Sequence, residues 1–104
     1  MKLRLVARGV ELTAELKDYV TRRVHFALGR FAGKINSVSV RLSDLNGPRG
    51  GIDKSCDIRV DVGFPQAVIV CERHHNIHAA VAFAVEKADR AVKRQLDSAC
   101  LGDS

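Results

Sequence analysis

Residues 77–96, IHAAVAFAVEKADRAVKRQL, decide how the rest of the chain is read. Ile77, Val81, Val85, Ala88, Val92 and Leu96 recur three or four residues apart without a miss, which lays one apolar stripe along an α-helix. Asn76 stands just before it, a residue whose side-chain oxygen can take one of the free N–H groups at a helix start. Twenty residues at ~1.5 Å each make a rod of about 30 Å, long enough to cross a small sheet. The same rod carries Lys87, Arg90, Lys93 and Arg94, with Asp89 the only acid between them.

Outward from this helix the pattern changes to period two. Ser55 to Val62 alternates Cys56, Ile58, Val60 and Val62 against Asp57, Arg59 and Asp61, and Ile35 to Ser43 alternates Val38, Val40 and Leu42 against Ser37, Ser39 and Arg41. Each reads as a strand with one buried and one wet face. Gly63-Phe-Pro65 is a turn. Gln66 to Glu72 is a further strand whose apolar run, Ala67 to Cys71, leaves its facing open. Near the start, Leu3 and Leu5 alternate with Lys2 and Arg4 as a short first strand. Thr13 is a helix cap, with Glu15 well placed at the positive end of the first turn. Leu16, Val20, Val24, Leu28 and Phe31 then form an apolar stripe, with Lys17, Arg22, Arg23 and Arg30 largely off it, and Gly29 and Gly33 weaken its end. The order β-α-β-β-β-α predicts an α+β sandwich: a four-stranded mixed or antiparallel sheet with both helices on one face. Residues 1–97 make one domain and residues 98–104 a short flexible tail.

The 104 residues suffice for a single core and are few for two domains. Seventeen Lys and Arg against 12 Asp and Glu give a formal charge of +5. Residues 1–40 hold eight of these cations and three acids, so the excess sits in that segment. A basic chain with five aromatics and no Trp points to polyanions held electrostatically rather than by base stacking. The first eight residues carry charge too often for a signal peptide and no segment reaches membrane-spanning length, so the expectation is a cytoplasmic protein without a membrane partner. Cys56, Cys71 and Cys100 show no CxxC spacing and read as reduced thiols.

Four stretches invite chemistry. Asp44 to Lys54, DLNGPRGGIDK, is glycine-rich and carries Arg49 and Lys54. It lacks the spacing and following helix of a nucleotide-binding P-loop, and turn geometry accounts for its glycines. Its length favours a loop that contacts a backbone. Cys71, His74, His75 and His78 raise zinc, but His74 precedes the helix cap and need not share a helical face with His78. Cys71 as a nucleophile is disfavoured by a place in or beside the core, where a thiol stays protonated. The strongest signal is Lys87, Arg90 and Arg94, spaced three and four apart as one ridge. The helix dipole explains cations in the last turns but not Lys87 and Arg90, which lie further in. Such a ridge suits phosphates. It is undone if Lys87 or Arg90 is buried or held in a neutralising ion pair.

At Val10-Glu-Leu-Thr13, Phe31 to Val38, and Ile77 through Leu96, the chain resembles the ribosome hibernation-promoting factor family, also called the sigma-54 modulation or ribosome-associated inhibitor family. The resemblance covers residues 2 to about 96. It implies a β-α-β-β-β-α fold reminiscent of double-stranded RNA-binding domains, and a place on the small ribosomal subunit where mRNA and tRNA would otherwise lie. Lys17 and Arg23 fall where members carry basic residues on the first helix, and Lys87 and Arg90 match the Lys-x-x-Arg that meets ribosomal RNA. The 46–54 loop looks like that of a small-member subgroup. His78 stands where an aromatic residue is common, and the eight residues after Leu96 imply a short form without a dimerisation domain.

The expectation is therefore a non-enzymatic translation inhibitor with no cofactor, no metal and no small-molecule substrate. Its partner is the 16S rRNA of the small subunit, contacted by Lys17, Arg22, Arg23, Arg49, Lys54, Lys87, Arg90 and Arg94. The alternative is a sigma-54-type regulator that binds protein without the ribosome. A weak homodimer through an exposed sheet edge is left open.

Overall fold

The computed structural model describes residues 1–44, 54–63 and 67–102, with side chains through residue 97. Along the chain run β1 (Lys2–Arg8), α1 (Ala14–Leu28), a 3-10 segment (Gly29–Lys34), β2 (Ser37–Asp44), β3 (Lys54–Asp61), β4 (Val68–His74) and α2 (Ile77–Gly102). The strands form one sheet in the order β1-β2-β3-β4. β1 and β2 are parallel, as their connection through α1 requires, and the remaining pairs are antiparallel. The sheet is thus mixed, with both helices packed on one side of it over a single core.

Register fixes which residues meet. Leu5, Val40, Ile58 and Val70 stand opposite one another across the four strands and face the helices. Flanking rungs bring Val38, Val60 and Val68 together, and Leu42 with Cys56. Against them pack Leu16, Val20, Val24 and Leu28 of α1 and Val81, Val85, Ala88 and Val92 of α2, all buried. At roughly 1.5–3 kcal/mol per fully buried Val or Leu side chain, this stripe-on-sheet contact is the main favourable term in folding. Ala80 and Ala84, outside the stripe read from the sequence, are also fully buried, and their small side chains bring α2 close to the strands.

The caps fall where the sequence puts them. Leu16 N–H donates to Thr13 Oγ1 at 3.1 Å, and His78 N–H donates to Asn76 Oδ1 at 2.8 Å. Phe31 does not continue α1: the helix ends at Leu28 and Phe31 lies half-buried in the 3-10 segment. α2 runs to Gly102, six residues beyond the expected end at Leu96, because neither Pro nor Gly interrupts the segment before Gly102. Gly9 sits at φ +75°, where a β-carbon would come within 3.3 Å of the Asp44 carbonyl, so this turn needs glycine on both counts.

Candidate nucleic-acid interface

The cations of the two helices reach the surface, but most have acidic neighbours. Lys87 and Arg90 face outward, as expected, but both stand in ion pairs, the outcome that undoes them as a ridge of free cations. Lys87 Nζ lies 2.8 Å from Glu72 Oε1, and Arg90 Nη2 lies 3.2 Å from Glu86 Oε1. Glu86 is one helical turn before Arg90, and Glu72 continues the helix-facing phase of β4 beyond Val70, beneath α2. Arg22 pairs with Asp18 at 2.9 Å in the same way, and Arg30 reaches from the 3-10 segment to Asp89 of α2 at 2.7 Å. These pairs are not equal. Arg90 and Glu86 are both about two-thirds exposed, so their pair is worth little and phosphate can displace it, whereas Glu72 is only 23 % exposed and holds Lys87 more firmly.

Lys17, Lys93 and Arg94 are exposed without an ion pair among the described residues, and Arg23 lies 5.7 Å from the Tyr19 ring centre. Lys87, Arg90 and Arg94 share a shallow groove of about 330 Å³ against Val70 of β4. A second groove of about 390 Å³ lies between the helices, between Arg23, Phe26 and Arg30 on one side and Glu86 and Asp89 on the other. Phe26 is 90 % exposed there.

Lys54 stands in an ion pair. Its Nζ lies 2.8 Å from Asp44 Oδ2, directly opposite it in the β2–β3 register, with side chains only 25 % and 12 % exposed. The pair ties Lys54 to the last residue of β2. Arg49 lies outside the described residues.

The Cys/His group does not converge. His74 Nδ1 accepts from the Asn76 N–H at 3.1 Å and its ring lies against His75 and Phe83, while His78 meets the edge of Tyr19. Among the described residues no three His, Cys, Asp or Glu side chains are grouped to hold a metal ion. Cys71 is exposed rather than near the core, because the register places it opposite Asp57 on the face away from the helices. Its thiol is still held above the ordinary value, chiefly by donating to the Asp57 carboxylate. Cys56 is the buried thiol, pushed up to about 12 by desolvation, with Asp57 and Cys71 adding to it.

The open face of the sheet holds what sequence reasoning missed. Register places Arg4, Ser39, Arg59 and Ile69 on one rung, Val6, Arg41, Asp57 and Cys71 on the next, and Arg8, Ser43, Ser55 and Arg73 on the one after. Lys2 with Ser37 and Asp61 completes the face. Among the described residues, six exposed cations thus share one surface with two carboxylates. Neither carboxylate forms an ion pair among the described residues: Asp61 accepts from the Gly63 N–H at 2.8 Å, and Asp57 is engaged by Ser55 and Cys71. The period-two alternation set Arg4, Arg41 and Arg59 off the apolar phase of their strands, but only strand order shows that they are neighbours.

A mixed four-stranded sheet, closed on one side by two helices and open and basic on the other, defines a small α+β module. The chain belongs to the sigma 54 modulation protein / S30EA ribosomal protein family, whose model matches residues 3–99. It is similar to the N-terminal domain of Thermus thermophilus Protein Y, with 26% identity and a TM-score of 0.72 over 90% of this chain and 98% of that one. A ribosomal subunit interface protein from Coxiella burnetii has the same fold, at 12% identity and a TM-score of 0.77, covering 93% of this chain and 99% of that one. No curated protein matches the chain in sequence.

Proposed function

We propose that the protein is a non-catalytic, ribosome-associated hibernation factor that binds the 16S rRNA of the small subunit and occludes the path of mRNA and tRNA under stress. The observation that carries this reading is membership of the S30EA family across residues 3–99. The likeness to the Protein Y domain supports it. Cytoplasmic placement follows from a ribosomal partner, and among the described residues no helix is long and apolar enough to cross a membrane.

Lys17, Arg22, Arg23, Arg90 and Arg94 offer exposed phosphate contacts on the helix side, with Lys87 available once Glu72 releases it and Arg49 adding a contact from the long loop. Exchange of an exposed carboxylate for an RNA phosphate costs little, because such surface pairs contribute about 0–1 kcal/mol. With roughly six to ten phosphate contacts in all, affinity falls by about 10³ to 10⁵ between 50 and 200 mM salt. Duplex RNA is met through shape and backbone, since its deep major groove excludes side chains.

Co-sedimentation with purified small subunits through sucrose, at several salt concentrations, tests the reading. Binding that weakens steeply with salt supports it. One observation favours a second reading, a protein-binding regulator: Phe26 stands almost fully exposed in the interhelical groove, as an apolar anchor for a partner. Such a complex would survive high salt and RNase treatment, and the rRNA complex would not.

A further inference from the structure

We propose that the open face of the sheet is a second RNA-docking surface, which holds phosphates with Arg4, Arg41 and Arg59 while the helix side holds others. This rests on the rRNA-binding reading and adds where on the molecule the charge is available. Arg4 and Arg59 flank Ser39 on one rung, two strands apart and so about 10 Å from each other at the backbone, with Arg41 one rung further along at about 7 Å. These three and Asp57 border a depression of about 450 Å³ whose apolar wall is Val6 and Ile69, which are 55% and 71% exposed.

Two ordinary explanations fall short. Charges on an edge strand prevent pairing with other chains, which accounts for Lys2, Arg4 and Arg8 on β1. It does not account for Arg41 and Arg59, which belong to the central strands β2 and β3. A surface tuned for solubility intersperses both signs. Here the two carboxylates are turned toward Gly63, Ser55 and Cys71, and none of the five arginines on the face has an ion-pair partner among the described residues. Like charges that outnumber their counter-charges repel, and a polyanion relieves that repulsion. The serines of β2 keep Arg4 and Arg59 from standing directly opposite one another, so the cluster is tolerated in the free protein. Phosphate is the chemistry recognised, since the face offers guanidinium groups and, among its described residues, no aromatic platform for bases.

The test compares binding to purified small subunits and to a labelled RNA hairpin for wild type, the sheet-face variant Arg4→Glu/Arg41→Glu/Arg59→Glu, and the milder Arg4→Gln/Arg41→Gln/Arg59→Gln. Circular dichroism checks folding, and the Gln set stands in if the Glu set does not fold. The Glu set is expected to lose at least 100-fold in affinity, the Gln set about tenfold, and each lowers the salt slope by about two to three. Wild-type affinity and salt slope in a folded variant would overturn the inference and leave the ribosomal reading intact. Failure of the wild type to bind either target would overturn both. A sheet-face variant that loses binding only to subunits, with wild-type binding resistant to RNase, would assign the face to an acidic protein and overturn the inference.

Discussion

Among the described residues, the helix side of this molecule carries more cations than the sheet side and pairs a larger share of them with carboxylates. On the helix side Arg22, Arg30, Lys87 and Arg90 each sit against a carboxylate at 2.7–3.2 Å. On the sheet side Arg4, Arg8, Arg41, Arg59 and Arg73 have no such neighbour among the described residues. Counting basic residues therefore ranks the helices first, whereas asking which charges are available ranks the sheet first. The cause is geometric. A helix brings acids and bases together every three or four residues, which makes the Arg22–Asp18 and Arg90–Glu86 pairs, and packing of neighbouring elements brings Asp89 to Arg30 and Glu72 to Lys87. A strand separates its polar residues onto a pleated surface, where pairing depends on what the neighbouring strand presents.

The comparison holds only if both faces are mounted on one cooperative core, and Cys56 reports on that core. Its thiol is raised from 9.0 to about 12, so the folded state keeps a proton that the unfolded chain gives up near pH 9. Stability is then intact below pH 9 and falls as the pH rises toward 12, by up to roughly 4 kcal/mol. Urea titrations at pH 8 and pH 10.5 should show the wild type losing more stability than Cys56→Ala; equal losses would deny the thiol this environment.

Next in size is the contrast between the faces. Lys87→Glu/Arg90→Glu should weaken small-subunit binding by about tenfold, well below the loss expected from reversing Arg4, Arg41 and Arg59 together. A larger loss from the helix pair would invert the ranking. A smaller effect sharpens it: Glu72→Gln and Glu86→Gln free Lys87 and Arg90, and together they should tighten binding about three- to tenfold. No gain would show that these ion pairs never restrained the cations.

Most of the fold was legible in the sequence. The stripe from Ile77 to Leu96, the caps at Thr13 and Asn76, and the alternation in β2 and β3 each reflect one local periodicity, and the structure keeps them. What was not legible depended on partners distant in sequence. Glu72 neutralises Lys87 because β4 runs beneath α2, and Cys71 is exposed because it stands opposite Asp57; neither follows from the apolar run that surrounds them. Lys54 read as a loop cation until its register partner proved to be Asp44. Arg4, Arg41 and Arg59 were each assigned to a wet face, and only the strand order gathers them. Periodicity tells which way a side chain points; charge availability needs the neighbours.

Cys71 offers the most direct measurement, because it lies on the rung beside Arg41 and Asp57 and is the exposed thiol of the sheet face. In a Cys100→Ser background its alkylation rate can be followed with and without saturating small subunits. Occupation of the open sheet face by RNA predicts that subunits slow the reaction by tenfold or more, with the free rate restored by high salt. An unchanged rate on subunit-bound protein would contradict the claim that this face is where the available charge meets RNA.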